Sequence, residues 1–134
     1  MSDDDTVAEG SAIDQWGKLF AAGGKLLGRS FSIVEDGVQR RAMEAAGFVD
    51  IKEENFKVPL GTWPKDPLLK EAGNCTWTAL DGDVEGYVLY MATMLGWSRE
   101  QTIVYAAHLR REARNPDIHS YYHMKAVWGR KPEA

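Results

Sequence analysis

The residues best suited to chemistry lie near the C-terminus, where His119, Tyr121 and His123 alternate along a stretch that runs from Ile118 to Trp128. Alternate residues of a strand point to the same side, so these three side chains are predicted to share one polar face. Two histidines could bind a metal ion, but the pattern supplies no third ligand. The sequence therefore predicts no metal site.

His119 has two interpretations. A histidine can remove a proton from a hydroxyl group and so create the nucleophile of a group-transfer reaction. A histidine at the start of a strand can instead be structural, held by hydrogen bonds. The residues alone leave both open, and His119 is the candidate catalytic residue.

The other face of this final strand is predicted to be apolar, and we expect helices to cover it. Its members are Ile118, Ser120, Tyr122, Met124, Ala126 and Trp128. An earlier strand is predicted from Phe48 to Pro59, where proline ends the pairing because it has no N–H to donate. Two strands form a small sheet whose edges stay open unless something covers them.

Apolar residues at helical spacing predict five helices around these strands. They fall at about residues 6–22, 38–46, 68–72, 84–95 and 99–113. Glycines are expected to end three of them, including Gly73 after the third, and Ser98 with Gln101 predicts a capping box at the start of the last. The expected fold is a single α+β domain over residues 1–134, with about five helices, a two-stranded antiparallel pair and a frayed end at residues 1–5.

Some polar and aromatic residues of the helices, and of the connection between the two strands, also have two interpretations. Arg110 lies on the apolar side of its helix, so either its stem reaches out to water or an acceptor holds its guanidinium group. Trp63, Tyr87 and Met91 could line an aromatic pocket, whereas a helical stripe of such residues is more often part of the core.

Composition limits the classes of partner. The formal net charge is −4, and the 16 basic and 20 acidic residues are interleaved, which argues against binding to nucleic acid or to an anionic membrane. No apolar run approaches the roughly 20 residues that span a bilayer, and no leader is apparent. We expect an intracellular protein, cytoplasmic or nuclear.

Several short strings, in their order and spacing, resemble one known family. They are Ser2-Asp3-Asp4-Asp5-Thr6, Gly28-Arg29, Ala46-Gly47-Phe48-Val49-Asp50, Lys57-Val58-Pro59-Leu60-Gly61-Thr62-Trp63-Pro64-Lys65-Asp66, Leu69-Lys70-Glu71-Ala72-Gly73, Leu95-Gly96-Trp97-Ser98, Arg110-Arg111-Glu112, Asn115, Ile118-His119 and Gly129-Arg130-Lys131-Pro132. Together they resemble the C-terminal half of the fungal class I S-adenosylmethionine-dependent methyltransferases, the group that includes the velvet-complex regulators of secondary metabolism.

The resemblance implies a place for each part of the chain. The two strands would be the sixth and seventh of a Rossmann-like sheet, and the helices between them part of the lid over the acceptor substrate. His119 falls at a recurrent family position, and Trp63, Tyr87, Met91 and Tyr121 become candidate substrate-binding residues. The family's cofactor is S-adenosylmethionine, but its acidic, glycine-rich turn has no counterpart here, so we expect none to bind this chain alone.

The expected function is therefore that of a truncated or partial methyltransferase, the acceptor-substrate half, linked to fungal secondary metabolism and inactive alone. It would be a fragment, a truncated gene product or one half completed by another polypeptide. One alternative is a non-catalytic interaction module that pairs through an exposed strand edge, for instance as a homodimer. Another is a small-molecule binding protein.

Overall fold

A computed structural model describes residues 1–133. Its elements follow the predicted order, with α1 (Ala12–Leu26), α2 (Val38–Ala45), β1 (Val49–Pro59), α3 (Pro67–Asp81), α4 (Val84–Met94), α5 (Arg99–Ala113) and β2 (Tyr121–Arg130). The two strands pair as an antiparallel sheet, which confirms the α+β prediction. None of the described helices is both long and apolar enough to cross a bilayer.

The described chain forms two compact units. One comprises Met1–Phe31 and Val58–Tyr122, and the other comprises Ser32–Lys57 with the residues from His123 onward.

Three helices build the core of the larger unit. Buried side chains of α1, α4 and α5 pack together there, and the set comprises Ala12, Ile13, Leu19, Val84, Val88, Met91, Ala92, Tyr105, Ala106 and Leu109. Glu112 of α5 joins two of these helices, since its carboxylate accepts hydrogen bonds from the N–H groups of Ala12 and Ile13 at 3.0 and 2.9 Å. An anion at this position satisfies backbone donors that the first turn of α1 cannot pair internally.

The helix α3 corrects one prediction, because it continues through Gly73 to Asp81 instead of ending there. Gly73 is a point of close approach: a Cβ atom at this position would lie 2.1 Å from the carbonyl oxygen of Gly61. The N–H of Gly61 in turn donates to the carbonyl of Gly73 at 3.1 Å. The glycine is therefore needed for packing and does not end the helix.

The predicted bounds of the last strand were wrong at both ends. The strand begins at Tyr121, not at Ile118, because the N–H of Ile118 bonds to Asn115 in a turn and the N–H of His119 donates to the Thr6 hydroxyl. It continues past Trp128 to Arg130.

The predicted inward face of β2 was also wrong, although the alternation was right. The apolar side chains of Tyr122, Met124 and Trp128 are 45–48% exposed, and the polar set that includes Lys125 is half-buried. Only 12% of the Lys125 side chain is exposed, and its ammonium group lies 3.8 Å from Glu53. A long aliphatic stem with a paired end group can occupy a half-buried position that a sequence pattern assigns to solvent.

Candidate functional site

The loop after β1 carries Trp63 to the start of β2. Pro59 ends the first strand, after which Leu60 donates its N–H to the carbonyl of Ser120 at 3.0 Å. The indole N–H of Trp63 donates to the same carbonyl at 2.9 Å. Gly61 provides the turn between them, with a φ of +92° that favours glycine. The loop is thus fixed against the residue that follows His119.

His119 forms a dyad with a carboxylate from the N-terminal segment. Its Nδ1 lies 2.5 Å from Oδ2 of Asp4, and its ring stacks at a tilt of 32° on Trp63, with ring centroids 4.9 Å apart. The Thr6 hydroxyl accepts the N–H of His119 and donates to Asp4 at 2.8 Å. The hydrogen bond from His119, followed by that from Thr6, lowers the pKa of Asp4 below its ordinary value.

This arrangement defines the chemistry that the ring can perform. An ionised carboxylate is only an acceptor, so Asp4 favours the tautomer of His119 that carries its proton on Nδ1. The lone pair is then on Nε2, the nitrogen able to accept a proton from a substrate. With its side chain 39% exposed, His119 is accessible to a molecule in solution. These are the features of a positioned general base.

Tyr121 lies beside this dyad. Its hydroxyl donates to Oδ1 of Asp3 at 2.7 Å, and its N–H donates to the carbonyl of Met1 at 2.9 Å. The N-terminal residues therefore line the start of β2, where an open strand edge was expected. Fraying of residues 1–5 concerns their motion and stays a prediction, although several of them are hydrogen-bonded here.

The other two candidate substrate residues lie elsewhere, on α4. Met91 is 6% exposed and belongs to the helical core, whereas Tyr87 is 54% exposed. The structure thus brings Trp63 and Tyr121 to His119 and places Met91 in the core. Trp97 also packs against the core, with its ring centroid 5.4 Å from that of Tyr105.

Arg110 is held by acceptors. Its guanidinium group makes a two-pronged contact with the Glu85 carboxylate at 2.6 and 2.7 Å and bonds to Asp81 at 3.0 Å. This contact with Arg110 lowers the pKa of Glu85. The network links α3, α4 and α5, which is a structural role.

The larger unit also has an open groove of about 540 Å³ between α1 and α5. Its lining includes Trp97, Val104, Tyr105 and His108. None of the five candidate catalytic and substrate-binding residues contributes to it. The groove is therefore distinct from the cluster around His119.

The described residues do not fit a nucleotide-type cofactor. The sheet consists of two antiparallel strands, whereas such cofactors bind at the carboxyl ends of parallel strands. The glycine-rich stretch of the sequence lies at the end of α1, where Gly23 and Gly24 are buried helical residues. It forms no loop that could hold a phosphate or a sulfonium donor.

Comparison with known proteins identifies relatives of two kinds. Methyltransferase pytC of Aspergillus terreus is 36% identical over 91 residues, which cover 67% of this chain and 28% of that protein. The probable methyltransferase tdiE of Emericella nidulans is 28% identical over 134 residues, 99% of this chain and 42% of its own length. The secondary metabolism regulator laeA of Gibberella zeae is 28% identical over 131 residues, 97% of this chain and 41% of its own length. No family model and no solved structure matches.

The fold is that expected of part of a methyltransferase domain, with five helices and a two-stranded antiparallel sheet. The relatives confirm the resemblance read from the sequence: the chain is similar to part of fungal methyltransferases and of regulators of secondary metabolism. The chain spans less than half of the length of each of these relatives.

The sequence missed one residue of the site, Asp4. Asp4 lies in an acidic run that was predicted to fray in solvent, and it is 115 positions from His119 in the sequence. Only the coincidence of an acidic run and a histidine within one family pattern could have suggested the pair.

Proposed function

We propose that this chain is the acceptor-substrate half of a methyltransferase of fungal secondary metabolism. The observation that carries the proposal is the dyad of His119 and Asp4, stacked on Trp63 within a chain similar to part of fungal methyltransferases. Its substrate would be a small molecule with a hydroxyl group that must lose a proton as it accepts a methyl group.

Each residue of the site has a role in this reaction. Nε2 of His119 accepts the hydroxyl proton, and Asp4 stabilises the imidazolium ion that forms. Trp63 and Tyr121 offer an aromatic face and a polar group beside the base, which suits an aromatic acceptor. The family implies S-adenosylmethionine as the methyl donor. The two-stranded antiparallel sheet supports the proposal that a complementing half supplies the donor site, so that the chain does not turn over alone.

The test is a chimera in which this chain replaces the matched part of the Emericella nidulans relative. We expect the chimera, and not the isolated chain, to transfer a methyl group to members of a panel of phenols and enols. His119→Gln should lower kcat about 10²-fold or more, the usual contribution of a general base, and Asp4→Asn should lower it less. His108→Gln, on an exposed part of α5, is the matched control. Full activity of His119→Gln, or turnover by the isolated chain, would contradict the proposal.

A second candidate function is an interaction module that pairs through a strand edge, either with another copy or with a complementing half. The two-stranded sheet favours it, because so small a sheet leaves backbone groups available to an added strand. A concentration-dependent mass in light scattering would support pairing with another copy, and a monomer at all concentrations would contradict pairing with another copy.

A further inference from the structure

Thr6 joins the two members of the dyad. Its hydroxyl uses both of its hydrogen-bonding functions there, since it accepts the backbone N–H of His119 at 2.9 Å and donates to Oδ1 of Asp4 at 2.8 Å. A threonine hydroxyl has one proton to donate, and here that proton bonds to the carboxylate. Thr6 therefore contacts the histidine and its carboxylate partner at the same time.

The backbone of Thr6 also holds Asp4. Its N–H donates to Oδ1 of Asp4 at 3.3 Å, which closes a local turn of the kind that aspartate side chains form with the residue two positions on. Asp5, between them, has a φ of +58°, in the left-handed region that aspartate tolerates better than most residues. Oδ1 of Asp4 thus receives two hydrogen bonds from Thr6, while Oδ2 lies 2.5 Å from Nδ1 of His119.

This support matters because the dyad is accessible to water. The side chains of His119 and Asp4 are 39% and 45% exposed. An exposed contact between two such side chains gains little unless its geometry is fixed, because ordering them costs entropy. The two hydrogen bonds from Thr6 fix one carboxylate oxygen of Asp4 and thereby the direction of the other.

We propose that Thr6 is the positioning residue of the dyad: by holding Asp4, it fixes the proton of neutral His119 on Nδ1 and so presents the lone pair on Nε2. The effect on catalysis rests on the proposed function. The position of the proton, however, is a property of the chain alone and can be measured without any reaction.

The test locates the imidazole proton by NMR spectroscopy of the isolated chain, isotope-labelled at its histidine nitrogens and kept at a pH at which the rings are neutral. Correlations between ring nitrogens and ring hydrogens distinguish the two tautomers, and His119→Gln identifies the signals of His119. We expect the proton of His119 on Nδ1. In Thr6→Val, which keeps the shape and loses the hydroxyl, the ratio of the Nδ1–H to the Nε2–H form should fall roughly 2- to 10-fold, the range set by one hydrogen bond.

Two variants act as controls. Thr6→Ser keeps the hydroxyl and should retain the wild-type ratio, which separates the hydrogen bond from the shape of the side chain. Asp4→Ala removes the carboxylate and sets the ratio without an acceptor, toward which Thr6→Val should move.

His108 is an internal control in the same spectra. Its Nδ1 lies 2.8 Å from a guanidinium nitrogen of Arg111, which can only donate. His108 should therefore carry its proton on Nε2, the opposite tautomer, in the wild type and in every folded variant.

Either of two results would overturn the inference. One is a proton on Nε2 of His119 in the wild type. The other is an unchanged ratio in Thr6→Val, which would show that Thr6 is only structural even if the variant unfolds at a lower temperature.

The chimera separates this inference from the proposed function. There, Thr6→Val should lower kcat by a similar factor and leave KM unchanged, because Thr6 acts through the base, and Thr6→Ser should keep the wild-type kcat. If the tautomer ratio responds as expected and the chimera is inactive, the positioning role stands and the proposed reaction is rejected. If the chimera is active and the ratio does not change in Thr6→Val, the reverse holds.

Discussion

For the substitution Gly73→Ala, the sequence and the structure predict opposite changes in the stability of the protein. Gly73 lies in the interior of α3, where helix propensity alone predicts that Gly73→Ala stabilises the protein by about 1 kcal/mol. The structure predicts the opposite, because a Cβ atom there would lie 2.1 Å from the Gly61 carbonyl oxygen and 3.1 Å from Pro59.

The magnitude follows from the size of the clash. The 2.1 Å separation is 0.9 Å inside the 3.0 Å limit below which real Cβ atoms essentially never approach a neighbour. The obstacle is backbone, so the loop that holds Trp63 must shift. Overpacking costs about 1–3 kcal/mol, and a clash this deep with backbone belongs at the upper end, about 2–3 kcal/mol, which leaves a net loss of about 1–2 kcal/mol after the gain of about 1 kcal/mol in helix propensity. For a chain of this length, that loss lowers Tm by about 3–7 °C.

The assay is thermal unfolding followed by circular dichroism, with Gly82→Ala as the matched control. Gly82 ends the same helix with helical dihedral angles, and a Cβ atom there would meet nothing closer than 3.9 Å. Gly82→Ala should leave Tm unchanged or raise it slightly, since alanine restricts the unfolded chain. A Tm for Gly73→Ala equal to or above that of the wild type would refute the described packing of α3 on the loop.

Two further predictions concern half-buried carboxylates at the edge of the helical core. Glu85→Gln should destabilise the protein at pH 7 by up to about 1 kcal/mol, a small value because the ion pair is partly exposed to solvent. Because the pKa of Glu85 is lowered in the folded state, the ion pair contributes stability above the ordinary pKa of 4.5 and loses it as the pH falls through the folded pKa. In urea denaturation, the difference in unfolding free energy between wild type and variant should therefore be smaller at pH 3 than at pH 7, and an equal difference at both pH values would contradict the contact with Arg110. Glu112→Gln should lower the free energy of unfolding by about 1 kcal/mol, because one of the two N–H groups at the start of α1 loses a charged acceptor. The control Glu71→Gln, at an exposed position, should change Tm by less than the experimental error. Equal Tm values for the two variants would contradict the capping role of Glu112.

Local patterns predicted the elements well because their signals are local. The capping box of Ser98 and Gln101 is present at the start of α5, as predicted. The order of five helices and two strands was confirmed for the same reason, since helical spacing and alternation act within a few residues.

The predictions that the structure corrected depend on contacts between residues that are far apart in the sequence. The sequence gives the alternation of β2 but not which side is covered, because burial depends on what packs there, and Lys125 can be half-buried once Glu53 is near. The sequence pattern predicts a helix end at Gly73 because Gly61, which Gly73 contacts in the fold, is not its neighbour in the sequence. The pairing of Asp4 with His119 is beyond local reasoning for the same reason.

We propose that this chain provides an acceptor-side site and no donor site. The decisive experiment is a calorimetric titration of S-adenosylmethionine into the purified full chain. We expect no saturable heat of binding, since the described residues form neither a parallel sheet nor a glycine turn for the donor. Saturable binding at micromolar affinity would show a donor site within these residues and would refute the proposal.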